Sequence, residues 1–148
     1  GGDAGSLRFR TDQPDQLVRN EDRTFSGRVV SSPYLGEYPL SALPHRQAVS
    51  LGGRTGSAEL QLIDPSGLVL TLRHQVSAEP AEPAIRFNLW TDTEEGFFSP
   101  EPWLGTQNAL NNGAGLVHLA PGESWRWTIE ITPSWEDPSG PQGLENTP

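Results

Sequence analysis

Short runs of alternating apolar and polar residues, broken by turns rich in glycine and proline, recur along most of the chain. A two-residue period is what a half-buried antiparallel strand imposes, because successive side chains point to opposite faces. Residues 6–10 set Leu7 and Phe9 on one face, residues 16–19 form a weaker run, and residues 27–31 carry Val29 and Val30. Residues 58–62 alternate, and Asp64-Pro65-Ser66-Gly67 then supplies turn chemistry, Pro presetting φ and Gly accepting a positive one. Residues 68–74 return with Leu68, Leu70 and Leu72 on one face, which predicts a hairpin. Residues 78–83 read as a Pro/Glu loop, and residues 85–90 place Ile85, Phe87 and Leu89 together.

The clearest run comes last. Pro121-Gly122 turns the chain, after which Trp125, Trp127, Ile129 and Ile131 face one way and Arg126, Thr128 and Glu130 the other. Burying two Trp and two Ile contributes on the order of 6–10 kcal/mol before the entropy cost is subtracted. That predicts a strand deep in a sheet-on-sheet core. Residues 1–133 read as one all-β unit without internal repeats, an antiparallel β-sandwich, and residues 134–148 as a flexible tail.

Composition narrows the partners. Ten arginines and no lysine stand against nineteen acidic residues, for a net charge of −9. Such a chain repels phosphate backbones and anionic lipid, which argues against nucleic acid and membranes and for a neutral small-molecule ligand. Sixteen glycines and fourteen prolines disfavour long helices. No apolar run nears the roughly 18 residues of a membrane span. The absence of cysteine removes disulfide and thiolate chemistry and fits a cytoplasmic protein. An apolar content of 34% is low for a domain closing its own core, and Gly1 to Gly5 reads as a loop entered from upstream, so a truncated chain is expected.

His45, His74 and His118 lack the spacing of a helical zinc site and read as isolated surface or turn histidines. No nucleophile elbow or phosphate-binding loop is present, and the glycine-rich residues 51–57 read as a connecting loop. Residues 96–111 are more unusual: Glu101 lies between Pro100 and Pro102, Trp103 follows, and Asn108 and Asn111 come after. The prolines stiffen the backbone on either side of the carboxylate. A nearby indole lowers the local dielectric, a setting in which a carboxylate serves as a general base. Indole faces stack on sugar C–H groups, and amides both donate to and accept from hydroxyls. Composition alone favours the plainer reading, a surface Glu in a proline-rich connection beside a core Trp.

Phe97-Phe98-Ser99-Pro100-Glu101-Pro102-Trp103-Leu104-Gly105, then Asn108-Ala109-Leu110-Asn111, then Leu119-Ala120-Pro121-Gly122-Glu123-Ser124, resembles the carboxy-terminal part of the aldose 1-epimerase, or galactose mutarotase-like, family. Looser similarity reaches Glu37-Tyr38-Pro39-Leu40 and Arg46-Gln47-Ala48-Val49-Ser50-Leu51. The resemblance implies a β-supersandwich with a sugar site in a broad cleft, of which this chain would be the second half.

The same resemblance implies an isomerase that interconverts sugar anomers, with Glu101 as the base on the anomeric hydroxyl. A His of the missing amino-terminal half would protonate the ring oxygen. Neither cofactor nor metal is implied; the substrate is an aldose or sugar phosphate. Trp103, Asn108 and Trp90 become candidates for the cleft wall. Where many relatives carry a sugar-holding Asp, Pro44-His45-Arg46-Gln47 stands here, which makes His45 and Arg46 the candidates at that place and departs from the pattern. A non-catalytic carbohydrate-binding domain of the same fold is the alternative, and a generic β-sandwich interaction domain is a third reading. Half a supersandwich would also expose unpaired strands and an apolar face.

Overall fold

The computed structural model describes residues 6–77 and 85–136. In chain order the strands are β1 (Arg8–Thr11), β2 (Asp15–Arg19), β3 (Phe25–Ser31), β4 (Gly36–Pro39), β5 (Val49–Arg54), β6 (Ser57–Ile63), β7 (Leu68–Val76), β8 (Ile85–Asp92), β9 (Phe97–Leu104) and β10 (Trp127–Trp135). A single-turn helix, α1 (Ala109–Asn112), and a 3-10 turn at Leu40–Ala42 interrupt the strands. Two five-stranded antiparallel sheets result, ordered β10-β7-β6-β1-β4 and β3-β2-β5-β8-β9. They pack face to face as an all-β sandwich, the fold class that the alternating runs predict. No described helix is long and apolar enough to cross a membrane.

The period-two pattern acts as expected at the centre. Phe9 of β1, Val49 and Leu51 of β5, Ala58 and Leu60 of β6, and Ile85, Phe87 and Leu89 of β8 all bury against one another, with Leu40 and Leu43 closing the layer. The β6–β7 hairpin turns where Asp64, Pro65, Ser66 and Gly67 foretell it. Gly67 adopts a φ of 95° and donates its N–H to the Asp64 carbonyl at 2.9 Å, while the Ser66 N–H reaches the Asp64 carboxylate at 2.8 Å.

Several expectations are corrected. Most of the glycine-rich segment is strand rather than loop: Leu51 to Arg54 belong to β5, which bulges against β8 there, and Thr55 and Gly56 alone connect it to β6. The glycines are needed because β2 crowds them. A Cβ on Gly52 would come within 3.0 Å of the Leu17 side chain, and one on Gly53 within 2.9 Å of Pro14, with Gly53 at φ 90°. No strand resumes at Leu116, and β10 runs on through Ser134 and Trp135, past the expected start of the tail. Residues 137–148, the Pro/Glu loop at 78–83 and Gly1 to Gly5 lie outside the described residues. His74 is not a surface histidine either; it is fully buried, 4.7 Å from the Phe87 ring, and burial pushes its imidazole down to about 4.

The largest correction concerns β10. Its Trp127, Ile129 and Ile131 point to the same side as His74 and Leu72 of β7, as predicted, yet they are 39%, 46% and 65% exposed. Alternation sets the face of a strand, not its depth. β10 is the outermost strand of the first sheet, and the buried core ends before reaching it. Glu136 donates to Gly67 and Arg126 accepts from Ser77, so even-numbered residues of β10 bond β7 and odd-numbered ones face the open edge, Pro133 among them.

Candidate functional site

Because Ile85, Phe87 and Leu89 turn into the core, β8 must send Arg86, Asn88 and Trp90 to the outer face of the second sheet. The register of β8 with β9 sets Arg86 opposite Trp103, Asn88 opposite Glu101 and Trp90 opposite Ser99. On its other side β8 aligns Asn88 with Ser50 of β5, and β5 in turn aligns Ser50 with Leu17 of β2. A polar patch thereby forms on a face that a sandwich ordinarily leaves to solvent. Even so, Ser50, Arg86 and Asn88 are buried, covered by their own neighbours and by the chain after β9.

Glu101 is the centre of that patch. One carboxylate oxygen accepts the Trp103 indole N–H at 3.0 Å and the Asn88 amide at 3.2 Å, and the other accepts the Ser99 hydroxyl at 3.1 Å. The indole thus meets Glu101 through its N–H rather than its apolar face. Asn88 is held by Arg19 and by the Ser50 hydroxyl at 2.9 Å, and Gln107 reaches the same hydroxyl at 3.0 Å. Arg86 lies beneath: its Nε donates to the Gly105 carbonyl at 2.5 Å, and its guanidinium stacks on the Trp103 ring at 4.7 Å. Burial, and secondarily Arg19, pushes the Arg86 guanidinium down to about 10, with Glu101 opposing. Arg19 is lowered as well, first by burial, while Glu101 acts the other way. One Arg86 nitrogen and the Gln107 carbonyl oxygen find no partner among the described residues.

Beside this cluster opens a cleft of about 530 Å³ lined by Arg19, Arg23, Arg46, Gln47, Ala48 and Trp90. Arg46, at φ 54°, pairs with Asp92 at 2.6 Å, which raises the guanidinium and lowers the carboxyl, each chiefly through that hydrogen bond. His45 and Arg46 each stand 3.9 Å from Glu94. His45, Asp92 and Glu94 bring one ligand atom each within 4.8 Å of one another, but Arg46 is already bonded to Asp92, so a cation there would have to displace a guanidinium.

Of the residues singled out in the sequence, Glu101 and Trp103 bond each other, and Trp90 and Arg46 line the adjoining cleft. His45 pairs with Glu94 instead, and Asn108 opens α1 at φ 62° while accepting from Asn111. Neither has a hydrogen bond to Glu101. Sequence reading missed Arg19, Ser50, Arg86, Asn88, Ser99 and Gln107. The alternation that buries Ile85, Phe87 and Leu89 already placed Arg86 and Asn88 on the face of Trp90, which was the signal available for them. Comparison with known protein families, curated proteins and solved structures finds no match for this chain.

Proposed function

We propose that this chain binds an aldose at the outer face of its second sheet and acts on the anomeric centre in the manner of a mutarotase, with Glu101 as the base. The observation that supports this most is the carboxylate itself, fixed from three sides by Asn88, Ser99 and Trp103. All three donors are neutral, and no cation pairs with the carboxylate among the described residues, so it is available as an acceptor for a sugar hydroxyl. Trp90 and Trp103 supply ring surface, and Gln107 and Asn88 supply amides. In the proposed reaction Glu101 takes the anomeric proton, the ring C–O bond breaks as an acid from outside the described residues gives its proton to the ring oxygen, and reversal of both transfers after rotation gives the other anomer.

Among the described residues no histidine has a hydrogen bond to Glu101: His45 lies 3.9 Å from Glu94, and His74 is buried between Phe87 and Trp127. That observation favours a second reading in which the chain binds sugar without turnover, or needs an acid from a further segment.

Polarimetry of fresh α-glucose and α-galactose, alongside NMR titration with the same sugars, separates the readings. Glu101→Gln preserves the shape and two acceptor contacts while removing the charge. Accelerated mutarotation lost in that variant supports the isomerase; binding without acceleration supports the module. A Gln variant with the full rate, or resonances of Glu101 and Trp103 unmoved by any sugar, would refute the assignment.

A further inference from the structure

The overall charge of −9 predicts a neutral ligand, but the arginines are not spread evenly. Three of the ten line one cleft, and no carboxylate is among its lining residues. They differ in what holds them. Arg46 is anchored from behind by Asp92, a buried carboxylate, with Glu94 farther off. Arg19 is held by neutral acceptors, Asn88 and Ser50, and has Glu101 as its nearby opposite charge. Arg23 sits in the β2–β3 turn at φ 68°, its backbone N–H bonded to Asn20 at 3.0 Å, and its guanidinium makes no ion pair among the described residues. Asp92 and Glu94 thus offset Arg46, Glu101 is the opposite charge near Arg19, and Arg23 is the one of the three with no such partner among the described residues. The cleft is of the size that small ligands fill, and Trp90 gives it one flat wall.

From this convergence we infer that the cleft receives the anionic end, a phosphate or a carboxylate, of a small ligand whose hydroxyl-bearing part lies toward Glu101. Guanidinium forks match both anions in a bidentate fashion, which lysine would not, and Arg19 links the two halves because it borders the cleft and holds Asn88 beside Glu101. The hydroxyl half rests on the carbohydrate reading above, whereas anion capture stands on the cleft alone.

The test is titration of the full chain, followed by calorimetry and by backbone amide shifts, with glucose, glucose 6-phosphate, glucuronate and inorganic phosphate, at low and high salt. Glucose 6-phosphate or glucuronate should bind at least about tenfold more tightly than glucose, an advantage that shrinks with salt. The stronger of the two names the anion. Arg23→Asn, with a residue that accepts the left-handed backbone, should remove most of the advantage and bring the anionic sugars to within about threefold of glucose. Equal affinity for glucose and both anionic relatives, or an Arg23→Asn variant that keeps the full advantage, overturns the inference. Glucose binding that depends on Glu101 while the anions add nothing would leave the carbohydrate reading standing alone. Phosphate and both anionic sugars held by the arginines, with glucose never bound, would do the reverse.

Discussion

Arg86 offers the sharpest energetic test, because two opposing effects there are of similar size. Its guanidinium is completely buried, and its drop from 12.5 to about 10 corresponds to a cost of about 3 kcal/mol for keeping the charge inside the fold. Replacement by Met relieves that cost and keeps an unbranched apolar stem against Trp103. It also strands the Gly105 carbonyl and weakens the hold on Ser50, a loss of about 1–3 kcal/mol. Arg86→Met is therefore expected to shift stability by no more than about 2 kcal/mol in either direction. Arg86→Lys should fare worse than Met by about 1–3 kcal/mol, since an ammonium retains a desolvation cost but cannot reach Gly105 and Ser50 as a planar fork does. Urea unfolding followed by tryptophan fluorescence reads both, provided the slopes match. A Met variant more than about 4 kcal/mol less stable, or a Lys variant equal to wild type while Met unfolds, would show that the buried charge stabilises the sandwich in its own right and that this accounting is wrong.

Acidification should expose His74. Its folded value of about 4 lies below the 6.5 of the free side chain, so its contribution is intact above 6.5 and is lost as pH falls toward 4, by up to about 3 kcal/mol. His74→Phe should remove that part of the acid sensitivity in urea melts between those values, leaving the carboxylate part; identical slopes for the two proteins would contradict the burial argument. Ile131→Thr on β10 should change stability by no more than about 0.5 kcal/mol, whereas Leu60→Ala in the core should cost about 2–5 kcal/mol. A loss above about 1.5 kcal/mol at Ile131 would mean that β10 is covered in solution.

What could be read in advance was local. The turn at Asp64 to Gly67 and the inward faces of β6, β7 and β8 follow from residue type and a period of two, neither of which depends on the rest of the chain. What could not be read was neighbourhood. Trp127, Ile129 and Ile131 carry the strongest apolar alternation in the sequence and yet stand at a rim, because sheet order decides whether an opposing layer exists. Gly52 and Gly53 looked like a loop because the crowding that requires them comes from Pro14, Asp15 and Leu17, far back in the chain. The candidate site divides in the same way. Glu101 and Trp103 are two residues apart and were found together, while Arg19, Ser50 and Asn88 reach them only through strand registers spanning up to 69 residues. Net charge is blind to position for the same reason: it averages over a surface on which three arginines line one cleft.

The Thr91 carbonyl is taken by Arg46 on the β5 side, so the even-numbered residues of β8 and the odd-numbered residues of β9 bond each other. The nitrogens of Pro100 and Pro102 therefore lie along the bare margin of β9, as that of Pro133 does along β10, and three places where a foreign strand would seek a donor have none. Fibre-like stacking of one molecule on the next is discouraged at both margins. At β9 the same two rings flank Glu101 and hold its backbone extended, so one pair of prolines serves both the margin and the placing of that carboxylate.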